Sequence, residues 1–580
     1  MTRRPRFFAA PLLALLLALA GQPARTQAQN TDMRFDHNHT YSEVVDYLEA
    51  VTAAYPSITR LHTIGQSYQG RDLLVLEITN QDTGDGLSKP GFWMDGNLHA
   101  SEVMGAEVCL KNIDTLVKGY GNDPSITDLV DTRTMYIMPK LNPDGSDHYL
   151  TKPDGMRSSV RPHDSDRDGA LDEDPPEDLD GDGYILQMRV RDENGSMKTS
   201  SEDPRLMVRA EVGESGEWRT YSEGIDNDGD GRFNEDGVGG LDINRNWPAQ
   251  WQQEYVQGGA GPYPLSEPET RAVAEFLLSH RNVTGIINHH MAGNFVYRPP
   301  TALHFDPVTG EEQAMSQADL AILNFFGAKY TELINGQEVT PVFGRSGPPR
   351  YGAIWGVMIG WGYDHYGVPS WVPEMGSYAP FCDYDEDGNA TEMERLRWND
   401  EEMDGKLFAD WKPFNHPQLG EVEIGGWVSK VYDADLGSYT NAMTTPGPVF
   451  EEFLAEHTAW NNWMASMSPL VRVTEIEATE VADGFIKIMA KVQNHGYLPT
   501  NVTEQAIRNQ MAKTVKVSID LSGAELVFGD ETVDIGHLQG NRAEPETVEW
   551  MIRRTGGAAP TVTVTAVSEK GGTHSRALSR

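Results

Sequence analysis

Residues Phe92–Val117 read FWMDGNLHASEVMGAEVCLKNIDTLV, and the reading of this stretch decides the fold. Phe92-Trp93-Met94 is a short apolar run that ends in Asp95-Gly96-Asn97, residue types that favour a tight turn. From near Glu102 the apolar positions change period. Val103, Ala106, Cys109, Leu110, Ile113 and Val117 fall on one side of a helix. A strand, a polar turn and a helix in that order form half of a strand–helix–strand unit.

The same alternation continues on both sides. Residues 42–54 have helical apolar spacing at Val44, Val45, Leu48 and Val51. Thr59 to Ile64 and Leu73 to Ile78 read as paired strands, and Thr134 to Met138 as another. A helix over 266–280 leads into a strand over Thr284 to Asn288. The expectation is an α/β core. Phe450 to Met467 reads as its last helix. Beyond about residue 470 short alternating runs appear at 485–492, 515–521, 548–552 and 562–567, separated by turn residues, which predicts an all-β sandwich. A chain of 580 residues is too long for one ordinary core, in agreement with at least two domains.

Composition excludes several classes of function. The net charge of −40 repels phosphate backbones and anionic membranes, so nucleic acid is not an expected partner. Two cysteines, Cys109 and Cys382, exclude a disulfide-stapled scaffold and a cysteine-based zinc site. Arg3, Arg4 and Arg6 precede an apolar stretch from Phe7 to Ala20, which reads as a signal peptide cut near Ala28. No later run is apolar enough to span a bilayer, so the mature chain is expected to be secreted or periplasmic. The sequence does not address oligomeric state.

Acidic residues are clustered. Residues 164–183 read DSDRDGALDEDPPEDLDGDG and residues 226–236 read DNDGDGRFNED. Both follow one template, with Asp164, Asp166, Asp168 and Gly169 in the first and Asp226, Asp228, Asp230 and Gly231 in the second. Carboxylates at positions 1, 3 and 5 can wrap one oxygen-seeking ion, and Gly at 6 permits the sharp turn. Coordination is completed from Asp172, Glu173 or Asp174, and from Asn234, Glu235 or Asp236. A third stretch, with Asp383, Asp385, Asp387, Gly388 and Glu394, fits D-x-D-x-D-G-x₅-E in full. The expected cation is structural Ca2+.

His99 and Glu102 lie three apart at the strand-to-helix junction, where two ligands can converge on one cation. Alone the pair is a weak signal, since a surface His beside an N-terminal helix Glu looks the same. Its context is stronger. From residue 38 to 380 the sequence resembles the zinc carboxypeptidase family, through IGQSYQGRDL (Ile64–Leu73), DGNLHASE (Asp95–Glu102), NPDG (Asn142–Gly145), Arg157, GLDINRNW (Gly240–Trp247), INHHMAGNFVYRP (Ile287–Pro299) and PSWVPEMG (Pro369–Gly376), in order. The resemblance implies a carboxypeptidase-like mixed sheet flanked by helices, and one catalytic Zn2+ on His99, Glu102 and a third His. His290 is preferred to His289 because Asn288, Gly293 and Pro299 stand at the family's spacing from it. The resemblance further implies Glu374 as general base and Arg157 as oxyanion stabiliser, with Arg161 a rival. It assigns Asn244 and Arg245 to binding the substrate's terminal carboxylate.

The family's mobile tyrosine has no secure match: Tyr351, Tyr363 and Tyr366 compete. Met-Gly-Ser follows Glu374 where Leu-Arg-Asp is common. Trp355 and Trp361, if they lined the pocket, favour apolar or aromatic terminal residues. The expected organisation is a signal peptide (1–28), a catalytic domain (29–468) with acidic insertions at 162–237 and 381–395, and a β-sandwich (469–580). The expected function is exported zinc-dependent removal of C-terminal residues from a peptide or protein with a free C-terminus. The alternatives are a cell-wall peptide amidase on the same site, or an inert calcium-dependent adhesion protein.

Overall fold

A computed structural model describes residues 31–578, apart from 292, 294, 302–303, 306–308, 335–339, 342–353, 377–378, 388 and 443–447. The signal peptide, Tyr351 and Gly388 therefore lie outside the described residues. Among these residues no helix is long and apolar enough to cross a membrane.

The main sheet is mixed. Its strands run in the order Thr59–Gln66, Asp72–Ile78, Thr134–Met138, Gly91–Asp95, Val283–Asn288, Ser370–Met375, Phe295–Arg298 and Thr340–Pro341, and the short His290–Met291 strand also pairs with Ser370–Met375. The four strands from Thr134–Met138 to Ser370–Met375 are parallel to one another, and the strands that flank them, Asp72–Ile78 and Phe295–Arg298, are antiparallel to them. Both faces of this centre are covered. Phe92 and Met94 join a core with Leu48, Leu110, Ile113, Trp371 and Trp460 on one face. Trp93 joins Val273, Phe276, Ile286 and Trp361 on the other. Alternate side chains of one strand thus feed two cores, which is why the run is apolar throughout rather than every second residue.

The helix expected to begin near Glu102 begins at Met104. Glu102 instead ends a turn in which its N–H donates to the His99 carbonyl at 3.1 Å. Gly96 lets this turn pass close to the helix: a Cβ there would lie 2.3 Å from the Gly105 carbonyl carbon. The other predicted elements appear with small boundary changes, such as Tyr41–Ala54, Pro268–Ser279 and Pro448–Ser466.

The two acidic insertions belong to one substructure that the sequence reading missed. Gln187–Arg191, Met197–Thr199, Met207–Arg209 and Trp218–Ser222 form a six-stranded antiparallel sheet with Phe408–His416 and Gly420–Trp427. Leu186, Met188, Val422, Ile424 and Val428 form its own small core. The C-terminal region contains two four-stranded antiparallel sheets around Val473, Ile488, Val517, Trp550 and Val564. It is docked, not tethered. Leu498 enters one core of the α/β region, and Val502 and Ala506 enter the other.

Candidate functional site

The site lies at the C-terminal ends of the central parallel strands. Asn97, just past Gly91–Asp95, is left-handed (φ 55°) and its Nδ2 donates to the carbonyls of His99 (2.8 Å) and Ala100 (3.0 Å). Asn tolerates this conformation because its short polar side chain bonds locally. Asn142 ties the turn to the segment carrying Arg157, donating to Leu98 O and to Ser158 O at 3.0 Å. Ala100 N in turn donates to Arg157 O at 2.9 Å.

His99, Glu102 and His290 converge, with their ligand atoms within 4.8 Å of one another. Glu102 Oε1 lies 2.7 Å from His99 Nδ1, and Oε2 lies 2.7 Å from His290 Nδ1. The two Nδ1 atoms are 3.1 Å apart. All three residues are buried. Two ring nitrogens and a carboxylate aimed at one buried point suit a tetrahedral zinc ion with an open position. The outer nitrogens are held as such a site requires. His290 Nε2 faces Asn288 Oδ1 at 2.6 Å, and His99 Nε2 faces Asp242 Oδ1 at 3.0 Å. Burial opposes a charge on His99, but Glu102 and Asp242 outweigh it and push the imidazole up to about 9.

His289 turns the other way. Its Nδ1 meets Asp95 O at 2.8 Å and its Nε2 meets Asn461, on the helical side of the sheet. Burial pushes it down to about 4, so it is a neutral structural histidine.

Glu374 is the register partner of His290 on the adjacent parallel strand, so the two side chains share one face. Burial, then the nearby Glu102 charge, push its carboxyl up to about 8. Arg157 reaches the same point: NH1 donates to Glu102 Oε1 at 2.9 Å and Nε lies 3.5 Å from Asp242 Oδ2. Half of its side chain is exposed, and its NH2 lies 3.0 Å from His99 Nε2. Arg161 does not approach. It pairs with Glu267 at 2.8 Å and lies over the Tyr68 ring.

Asn244 is placed by the loop before Met358, whose N–H donates to Asn244 Oδ1 at 2.9 Å, while its Nδ2 lies 3.3 Å from His290 Nε2. That loop runs against residues 245–249 through Gly356 (φ +64°), where a Cβ would lie 2.2 Å from Arg245 O. Arg245 NH1 donates to Asn244 O at 2.8 Å and lies 3.8 Å from Asp242.

Asp242 is the residue the sequence reading passed over. Leu241 and Ile243 are buried in the core, and a turn closed by Arg245 N donating to Asp242 O at 2.8 Å, with Asn244 N donating to Asp242 Oδ1 at 2.8 Å, brings Asp242 and Asn244 together at the site. Two of the candidate tyrosines are excluded. Tyr363 OH donates to Asp319 at 2.7 Å and Tyr366 OH to His280 O at 2.7 Å, both in the interior. Trp361 packs on Trp247 and Tyr366 and is buried in the core.

The acidic loops adopt one geometry three times. Gly169 N bonds Asp164 Oδ2, Gly231 N bonds Asp226 Oδ2, and Gly183 N bonds Asp178 Oδ2. The third, Asp178-Asp180-Asp182, was read as part of the first stretch and not as a copy. In the 383 loop, Glu394 also caps the Glu392–Glu402 helix, with Oε2 accepting from Thr391 N at 2.8 Å and Oε1 from Tyr384 N at 3.0 Å.

The chain is similar to several known proteins. The chain is 41% identical over 111 residues to carboxypeptidase D of Anas platyrhynchos, covering 19% of this chain and 8% of that protein. It is 38% identical over 130 residues to carboxypeptidase M of Mus musculus, covering 22% and 28%. Carboxypeptidase A6 of Mus musculus matches at 22% over 321 residues, 53% of this chain and 56% of that protein. The chain thus matches only a small part of the length of the carboxypeptidase D proteins. Among solved structures, thrombin activatable fibrinolysis inhibitor aligns at 19% identity and a TM-score of 0.39, over 59% of this chain and 67% of that one. Residues 470–579 match a domain of unknown function (DUF8731). The profile of zinc carboxypeptidase matches residues 44–379, more than half of the chain and every segment that builds the site; the chain belongs to the zinc carboxypeptidase family.

Proposed function

We propose that this chain is an exported zinc metallocarboxypeptidase that hydrolyses the C-terminal peptide bond of peptides or proteins. One observation carries the reading: two imidazoles and a carboxylate converge, with a second carboxylate, Glu374, directly across the strand pair from His290. His99, Glu102 and His290 would hold zinc, which when bound supplies a Lewis acid and lowers the pKa of water in its open position. Glu374 accepts a proton from the attacking water and returns it to the leaving amine. Arg157 donates to the oxygen on which charge develops. Asn244 and Arg245 bind the free carboxylate of the substrate, for which a guanidinium is suited by its paired N–H donors.

Calcium in the acidic loops is the second part of the reading. The loops between Arg157 and Asn244 join the site by short bonds: Asp172 Oδ1 accepts from His163 N (3.0 Å) and Gly239 N (3.1 Å), and Ser159 N donates to Leu241 O. Neutralising them orders both segments. The test is mass spectrometry of peptides, blocked and unblocked at the C-terminus, and of cell-wall fragments, with and without a zinc-selective chelator. Zinc-dependent loss of residues from unblocked peptides alone is expected. Turnover of blocked peptides or only of cell-wall fragments points to an amidase, and no turnover at all refutes the enzyme.

A further inference from the structure

The loops at 164–174 and 226–236 face each other across an isolated antiparallel bridge between Asp174 and Asp236. Equivalent positions make equivalent contacts in each direction. Ser165 N donates to Asp236 Oδ1 at 3.2 Å, and Asn227 N, its counterpart, donates to Asp174 Oδ1 at 2.9 Å. The loops are therefore related by a local pseudo-two-fold axis through the bridge.

The carboxylates follow the same symmetry. Asp168, Glu173 and Asp228 bring one oxygen each within 4.8 Å of the others, and so do Asp230, Glu235 and Asp166. Under the repeat, Asp168 corresponds to Asp230, Glu173 to Glu235 and Asp228 to Asp166. Each trio draws two members from one loop and one from the other. Asp166 also groups with Glu173 and Asp236.

Asp236 is fully buried, and its Oδ2 meets no hydrogen-bond donor among the described residues. The same holds for the buried atoms Glu173 Oε2, Glu235 Oε2 and Asp164 Oδ1. An unsatisfied carboxylate oxygen at such a place is costly. Repulsion adds to it. Carboxylates gathered this closely repel one another, most where water is excluded around Asp236. A hard cation takes six to eight oxygens and answers both problems.

We propose that the two loops form one composite site for a pair of divalent cations of the calcium type, each cation held by carboxylates from both loops. Asp168, Glu173 and Asp228 surround one, and Asp230, Glu235 and Asp166 the other. This rests on the calcium reading above and goes beyond it, since each ion draws on both loops, although Asp164, Asp166 and Asp168 also converge within the first loop alone. Through Asp172 the composite site is bonded to the segments carrying Arg157 and Asp242.

The experiment is Ca2+ stoichiometry, by equilibrium dialysis, on the zinc-loaded full chain stripped of calcium. Three variants are compared with wild type: D166N/D168N/E173Q in the first loop, D228N/D230N/E235Q in the second, and all six together. The composite site predicts that either triple variant loses the same two ions as the sextuple. Loss of one ion by each triple and two by the sextuple overturns the composite site and leaves the calcium reading standing. Equal binding by wild type and sextuple overturns both. If a variant fails to fold, anomalous diffraction from wild-type crystals grown with a lanthanide decides instead. Ions bonded to both loops support the proposal, whereas ions confined to single loops, or none between the loops, overturn it.

Discussion

His290 and Glu374 stand opposite each other on neighbouring parallel strands. Side chains in register on one sheet face are held about 5 Å apart by the backbone ladder itself, so the spacing of a metal ligand from a proton acceptor needs no loop to set it. Burial and Glu102 push Glu374 up to about 8, and a cation held by Glu102 pulls it back down.

The proposed mechanism uses Glu374 in its deprotonated form, so kcat/KM is expected to fall as pH drops through its pKa, on a limb below 8 in the zinc-loaded protein. Glu374→Gln is expected to lower kcat by about 10²–10⁴-fold with zinc content unchanged. A pH–rate series with metal analysis checks both. An unaltered rate in the variant removes Glu374 from the mechanism.

Asp242→Asn leaves His99 Nε2 facing a neutral group in place of the carboxylate 3.0 Å away. Zinc affinity is expected to weaken by about 10–100-fold, with activity recovered at high zinc. Competition with a fluorescent zinc chelator measures it. Unchanged affinity limits Asp242 to packing.

Arg245→Met removes the guanidinium beside Asn244. The expected loss, on the order of 2–3 kcal/mol in kcat/KM, is confined to substrates with a free carboxylate. A parallel loss of zinc affinity in the variant points instead to a distorted site.

Lys570 reaches from the C-terminal region to donate to Val283 O at 2.7 Å, at the start of a central strand. Burial pushes its amine down from 10.5 to about 7. Between those values the unfolded chain binds more protons than the folded one, so stability rises with pH across that window. Lys570→Met is expected to remove part of this rise, by ~1 kcal/mol or more between pH 7 and 9. Urea midpoints at the two pH values test it. A variant with the wild-type pH dependence contradicts the shift.

The local patterns were legible. Apolar period located the Gly91–Asp95 strand and the Met104–Gly119 helix, and the family resemblance, through Asn288, Gly293 and Pro299, favoured His290 over His289. The inserted sheet was not, because strands such as Gln187–Arg191 are short and polar and find their partners at Gly420–Trp427. Nothing local announces a pairing between segments so far apart.

Residue type and period along the chain are local properties, and they were enough to establish the α/β core, the acidic repeats and the kinds of side chain that bind a cation. Proximity is not a local property. That His99 meets Asp242, that Tyr363 and Trp361 point into the core, and that Asp174 bridges Asp236 all follow from strand order and register, which are decided only when distant segments bury their apolar faces together.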